Sequence, residues 1–74
     1  MNASNKKPRV ATRRQLQRMA KRLAVVSDEL LKLGADMEYY GGFGLMGDRG
    51  RELIGAGRMA RYWTSHLTKM AEVK

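Results

Sequence analysis

The fold of this chain is decided by residues 16–40, which read LQRMAKRLAVVSDELLKLGADMEYY. Large apolar side chains recur there in steps of 3, 4, 3, 4, 3, 4 and 3 residues. They are Leu16, Met19, Leu23, Val26, Leu30, Leu33, Met37 and Tyr40. Alternating steps of three and four are typical of an α-helix that buries one stripe of its surface. We call this stripe seam 1, and it predicts one helix that continues through Gly34.

The start of this helix is marked by Thr12. Its hydroxyl can accept from the amide of Gln15, and the Gln15 side chain can reach back, which makes a capping box. The predicted first helix covers about residues 12–39. Residues 1–11 are polar and contain Pro8, so apolar burial cannot offset the entropy of ordering them. We predict a disordered basic arm there.

A second helix is predicted over about residues 48–72, after a glycine-rich loop over about 41–47. Asp48 is its expected N-cap, and its apolar residues follow the same alternating steps. This stripe, seam 2, consists of Leu53, Ala56, Ala60, Trp63, Leu67 and Met70. Two long helices joined by a short loop predict an all-α fold, an antiparallel hairpin over residues 12–74.

The simplest packing of this hairpin places seam 1 against seam 2. Folding about the loop then pairs residues whose numbers sum to about 89–90. The predicted pairs are Leu30 with Ala60, Leu33 with Ala56 and Val26 with Trp63. Large side chains meet small ones in two of these pairs, as close packing requires. Trp63 and Tyr40 are therefore predicted core residues.

Small residues flank both seams, and they allow two interpretations. They are Ala20, Ser27, Gly34, Gly57, Thr64 and Ala71. Either the two helices pack closely along them, or a second helix pair docks there. Because a lone hairpin of this size buries little surface, we predict a homodimeric four-helix bundle, or a core completed by another partner. The predicted dimer contacts are the apolar residues outside the seams: Val25, Leu31, Ile54 or Met59.

The charge of the chain is concentrated at its beginning. The 74 residues carry a formal charge of +8, and residues 1–27 contain eight basic and no acidic side chains. These eight are Lys6, Lys7, Arg9, Arg13, Arg14, Arg18, Lys21 and Arg22. Such a block is either a polyanion contact or a solubilising tail. Since no base-reading motif is present, we expect contacts to DNA or RNA phosphates rather than to base edges.

The loop region offers a second candidate surface. Its apolar side chains either plug the end of the bundle or contact a partner, and Tyr39 lies off the seam. The start of the second helix, with Arg49 and Arg51, could hold one phosphate or carboxylate. The predicted partner-binding residues are Tyr39, Phe43, Leu45, Met46, Arg49 and Arg51.

Several kinds of chemistry are excluded by the sequence. Gly42, Gly44 and Gly47 spell a dinucleotide fingerprint, but a helix precedes them where a strand is required, so we expect no cofactor. With no cysteine and one histidine, the chain has no disulfide, no thiolate metal site and no pair of histidine ligands. Ser65 and His66 are adjacent on a helix and point about 100° apart, so they cannot act as nucleophile and base. We therefore expect neither an enzyme nor a small-molecule substrate.

The same reasoning bears on location. The longest uninterrupted apolar run covers residues 23–26, far below the ~20 residues of a membrane span. No apolar segment follows the basic start, so no secretory signal is predicted. We expect a cytoplasmic protein, located in the host cytoplasm if a phage encodes it.

Two segments carry a resemblance to known proteins: LGADMEYYGGFG at residues 33–44 and ELIGA at residues 52–56. They resemble small uncharacterised accessory proteins of phages and prophages. The resemblance implies binding to a host protein or defence complex, without assigning residues. A dimeric helical hairpin is also similar in fold to small RNA-binding bundles of the plasmid copy-number type.

Two functions are therefore predicted. The first is a small, non-enzymatic regulatory protein that contacts nucleic-acid phosphates through the basic arm and the first helix. The alternative is a phage-type inhibitor or adaptor that docks on a host protein through the loop and Tyr39, with the basic residues facing an acidic surface.

Overall fold

The computed structural model describes residues 10–73 and consists of two helices. Helix α1 covers Arg13–Gly41 and helix α2 covers Leu45–Val73, each 29 residues long. They run antiparallel and pack against each other along their length. The predicted all-α hairpin is confirmed. Of the predicted disordered arm, residues 1–9 lie outside the described part of the chain.

The N-terminus of α1 has the predicted capping box. The Gln15 amide donates to the Thr12 hydroxyl oxygen at 3.1 Å, and the Thr12 amide donates to Gln15 Oε1 at 2.9 Å. Thr12 is the N-cap; its backbone angles are extended, and it marks the start of α1. This cap fixes where α1 begins, and with it the position of the basic residues of its first turn.

The loop is shorter than the sequence predicts. α1 continues to Gly41 and α2 begins at Leu45, so Asp48 lies in the first turn of α2 and is not its N-cap. Gly42, at φ 55°, ends α1, and its amide donates to the Glu38 carbonyl at 2.9 Å. A side chain at Gly41 or Gly47 would overlap the backbone opposite. The glycines thus let the two helix ends touch, which shortens the connection.

The helices meet along small residues. A Cβ added at Gly34 would lie 2.7 Å from the Gly50 carbonyl oxygen, and one at Gly57 would lie 2.8 Å from Leu31 Cγ. Ser27 is 1% exposed, and its hydroxyl donates to the Gly57 carbonyl at 2.8 Å. Of the two interpretations of the small residues, the structure shows close packing within the hairpin. It also explains why glycine occupies position 34 of α1, where a larger residue would force the helices apart.

The predicted packing of seam 1 against seam 2 is wrong. Trp63 is 49% exposed and Tyr40 is 77% exposed, so neither is a core residue. Val26, Leu33 and Ala56 are exposed as well. Because the helices approach closely along the small residues, each helix is rotated relative to the predicted packing. The row of small residues beside each seam then forms the contact line. Only half of each seam then turns inward: Leu16 and Ala60 are buried, and Leu23, Leu30, Met37, Leu53 and Leu67 are half-buried.

The outward halves of both seams lie on the same side of the hairpin. On each helix the exposed apolar residue directly precedes a small one: Val26 precedes Ser27, and Trp63 precedes Thr64. Because both helices are right-handed and run antiparallel, the same offset from the contact line points to the same side. We call this side the apolar face. Its exposed members are Met19, Val26, Leu33, Tyr40, Ala56, Trp63 and Met70.

The opposite side of the hairpin is charged. Asp28, directly after Ser27, pairs with Arg61 at 3.4 Å. Glu38 pairs across the helices with Arg51 at 3.5 Å. Two predicted dimer contacts also pack on this side within the hairpin, since Leu31 covers Gly57 and Ile54 approaches Gly34. The hairpin therefore separates an apolar face from a charged side.

Candidate polyanion-binding groove

An open groove of about 970 Å³ lies on the charged side, where α1 begins and α2 ends. Four cationic residues of the first turns of α1 line it: Arg13, Arg14, Arg18 and Lys21. Its other lining residues are Gln17, Ala20, Ala24, Thr64, Thr68, Ala71 and Glu72. No aromatic side chain is among these lining residues. The groove is thus a cationic surface built on one helix and faced by the last turns of the other.

Small residues create the floor of this groove. Ala20 and Ala71 are buried at the contact between the helices. The Thr64 hydroxyl donates to the Ala60 carbonyl at 2.9 Å, and the Thr68 hydroxyl donates to the Thr64 carbonyl at 3.0 Å. These hydroxyl protons are used within α2, so the α2 wall offers mainly oxygen acceptors. The groove can recognise an anion chiefly through its α1 wall.

The charges around the groove do not cancel. Its lining holds four cations and, among the described residues, one carboxylate, that of Glu72. Ion pairs between described residues engage Arg49, Arg51 and Arg61, and none engages the groove cations. These four side chains are exposed. An incoming phosphate would therefore meet cations that do not first have to leave an internal partner.

The groove also lies beside the N-terminus of α1. This end carries the positive pole of the helix dipole, and the first turn contains no acidic residue. Arg13 and Arg14 sit there, where the dipole disfavours cations by a few tenths of a kcal/mol. A bound anion would be stabilised by the helix end and by both side chains. The arrangement is thus suited to a phosphate group.

The remaining predicted nucleic-acid contacts are not all in this groove. Arg22 lines an adjacent hollow together with Gln15 and Met19, and Arg18 borders both concavities. Lys6, Lys7 and Arg9 lie outside the described residues. The structure therefore brings together Arg13, Arg14, Arg18 and Lys21, with Arg22 next to them.

The predicted partner-binding residues gather at the opposite end of the hairpin. Phe43 is fully exposed, so it does not plug the end of the bundle, and Tyr39 and Leu45 are exposed as well. Tyr39 stacks edge-on against Tyr40 with ring centroids 4.9 Å apart. Together with Met46 these side chains form an apolar tip.

The two arginines assigned to this tip have internal partners. Arg49 pairs with Glu52 at 3.2 Å. Arg51 donates to Asp48, to Glu38 and to the Gly42 carbonyl, so it ties the loop to both helices. The hydrogen bond to Asp48 is the main reason that the pKa of Arg51 is raised above its ordinary value. Arg51 therefore stabilises the turn and is a poor candidate for an anion site.

Sequence reasoning missed part of the groove and the whole apolar face. Gln17, Thr64, Thr68 and Glu72 join the groove only because the helices touch along the small residues. The available signal was the recurrence of small residues every seventh position, at Ala20, Ser27 and Gly34 and again at Gly50, Gly57, Thr64 and Ala71. Had these been taken as the contact line, both faces would have followed.

Two further kinds of site concern residues 10–73, a metal centre and a membrane span. No group of three or more His, Cys, Asp or Glu side chains is placed there so that it could hold a metal ion. Neither helix has an apolar stretch long enough to cross a bilayer. His66 packs against Tyr62, with ring centroids 4.4 Å apart.

Comparison with family models, with curated proteins and with solved structures finds no match to this chain.

Proposed function

We propose that the protein is a small, non-enzymatic regulatory protein that binds the phosphates of a nucleic acid. The observation that carries the proposal is the groove, where four cations of α1 surround one open concavity at a helix N-terminus. Arginine and lysine contacts to phosphates give affinity that depends on salt and tolerates many sequences. Lys6, Lys7 and Arg9 of the basic arm precede α1 in the sequence and bring three more cations to the chain.

The spacing of the groove cations fits a phosphate backbone. Arg14 and Lys21 are seven residues apart, which is about 10.5 Å along a helix. Phosphates of one strand follow each other at about 3.4 Å along a duplex axis, so this distance spans about three nucleotides. Arg18 lies between the two on the same helix. Because the lining has no aromatic platform, we expect backbone recognition and little preference for sequence.

The test compares a variant that lacks two groove charges with a control that lacks two charges elsewhere on the chain. In the groove variant Arg14→Gln and Lys21→Gln are combined, and in the control Lys32→Gln and Arg49→Gln are combined. Both variants lose the same net charge. Each lost phosphate contact should weaken binding about tenfold at ~50 mM salt. We therefore expect about a 100-fold loss for the groove variant and a much smaller loss for the control, measured by fluorescence anisotropy with duplex DNA and with RNA.

The outcomes of this test separate the possibilities. Equal losses in the two variants would mean that only the total charge matters and that the groove is not the site. A wild-type protein that retains neither DNA nor RNA at ~50 mM salt, where phosphate contacts are strong, would refute the proposal. Circular dichroism of both variants controls for loss of the helices.

A second candidate function is supported by the apolar tip. Phe43 is completely exposed at the turn, and Tyr39 and Leu45 are largely exposed beside it. Such a cluster is typical of a contact with another protein, which would make the chain an inhibitor or adaptor. The two functions differ in a pull-down from lysate. A protein that remains bound after nuclease treatment, and is lost with Phe43→Ser, supports the adaptor.

A further inference from the structure

We propose that the apolar face is covered by a second copy of this chain. The two hairpins would pack face to face as a four-helix bundle, with their loops at the same end. This inference does not rest on the proposed function, because the groove lies on the other side of the hairpin. It also moves the predicted dimer contact from Val25, Leu31, Ile54 or Met59 to the seams.

The interior of a single hairpin is too small to account for the apolar residues of the sequence. Its buried apolar residues are Leu16, Ala20, Ala60 and Ala71, and the largest fully buried side chain is Ser27. The heptad seams, in contrast, hold five large side chains that are 40–77% exposed: Met19, Leu33, Tyr40, Trp63 and Met70. Contiguous apolar surface of this extent marks a protein contact in soluble proteins.

The area of the face matches what a dimer needs. A helix of 29 residues is about 43 Å long, and two closely packed helices are about 18–20 Å wide. The face therefore measures roughly 800 Å², which is what each partner contributes to a standard stable interface. A short peptide or a single helix would leave much of it uncovered.

The pattern of side-chain sizes favours a second copy with its loop at the same end. In that arrangement α1 lies on the partner's α2, and residues at equal heights meet. Contacts within the hairpin join residues whose numbers sum to 84–88, such as Ser27 with Gly57 and Leu31 with Gly57. At a sum of 86, Leu30 meets the partner's Ala56, which is exposed on the apolar face.

Large side chains of α1 thus meet small side chains of α2, as dense packing requires. With the loops at opposite ends, α2 would lie on the partner's α2. Ala56 would then face α2 of the partner instead of Leu30, and its small side chain would leave a gap. The same complementarity that the seams show in sequence would therefore operate between two chains rather than within one.

The charges around the face are compatible with this pairing. Arg49 is the charged residue of this face, since it directly precedes Gly50, and it pairs with Glu52 within its own chain. The exposed apolar members of the face are uncharged. Both signs occur beside them: Arg22, Glu29 and Asp36 on α1, and Glu52 on α2. Asp36 and the partner's Arg49 lie at matching heights, with a sum of 85. The two grooves would point away from each other, so a dimer would present two polyanion sites.

The first experiment measures association with a matched pair of variants. Leu33→Glu places a charge in the apolar face, whereas Val25→Glu places one on the outer side of α1, where the side chain is 61% exposed. We expect the dissociation constant of the dimer to rise about 100-fold or more for Leu33→Glu, because each copy buries a carboxylate. Val25→Glu should associate like the wild type, by light scattering over a range of concentrations.

The second experiment tests the orientation by disulfide formation, since the chain has no cysteine. Chains with Leu30→Cys are mixed with tagged chains with Ala56→Cys, which lies on the exposed apolar face, and oxidised. Mixed disulfide dimers should form faster than dimers of Leu30→Cys alone. Faster self-pairing of Leu30→Cys would overturn the same-end arrangement. A wild-type mass that stays at 8.4 kDa at all concentrations would overturn the dimer itself.

Discussion

At the scale of single residues, glycine decides how closely the helices approach. Gly34 lies in the middle of α1, where glycine costs about 1 kcal/mol relative to alanine. The cost is tolerated because a Cβ at this position would meet the Gly50 carbonyl oxygen and Ile54 at under 3 Å. Gly55 differs, since a Cβ there would meet nothing within 4 Å. The two glycines therefore have opposite roles in stability.

We predict opposite signs for the two alanine substitutions. Gly34→Ala should lower the free energy of unfolding by about 1–3 kcal/mol, because backbone atoms of α2 must move to make room. Gly55→Ala should raise it by about 0.5–1 kcal/mol through better helix propensity. Urea denaturation followed by circular dichroism measures both. Equal effects would show that the helices do not touch along the small residues.

At the scale of the helices, the local signals of the sequence were sufficient and the packing signal was not. The capping box at Thr12 and the continuation through Gly34 were predicted correctly, because both depend on neighbouring residues. The seams were placed on the correct helices, but the prediction that they pack against each other was wrong. Apolar periodicity shows which stripe avoids water, whereas it does not distinguish a contact within a chain from a contact between chains. The contact within the hairpin was indicated instead by the seven-residue spacing of the small residues.

The capping box gives a prediction at this scale. Thr12→Ala removes the acceptor for the Gln15 amide and should cost about 1 kcal/mol of stability. Thr12→Ser keeps the hydroxyl and should stay close to the wild type. The comparison by thermal melting isolates the cap, since residue 12 is exposed and contributes no core contact.

Trp63 provides a second prediction for the seams. Replacing a buried tryptophan with alanine usually lowers the free energy of unfolding by roughly 3–5 kcal/mol, because it leaves a cavity. Because Trp63 is half-exposed on the hairpin, its replacement should instead act mainly on association. The melting temperature of the wild type should rise with concentration, and that of Trp63→Ala should rise less. A large loss of stability for Trp63→Ala in a protein that stays monomeric would indicate that the tryptophan is a core residue after all.

At the scale of the whole molecule, the hairpin separates two surfaces. We propose a second copy as the occupant of the apolar face and a polyanion as the ligand of the groove on the charged side. The sequence named eight basic residues from the charge block, and four of them line the groove. It did not show that Thr64, Thr68 and Glu72 complete the groove, because those residues come from the end of the other helix. Their placement depends on the register of the small residues, which fixes how the two helices align.

Phosphate binding in this groove should make the affinity fall as salt rises, and the slope of that salt dependence can be measured. Four groove cations alone predict a slope of about −3.6 for log K against log salt on duplex DNA, and the basic arm can only steepen it. The groove variant Arg14→Gln/Lys21→Gln should make the slope shallower by about 2, and the control Lys32→Gln/Arg49→Gln should leave it unchanged. A wild-type slope near zero, or equal slopes in both variants, would mean that phosphates do not bind in this groove.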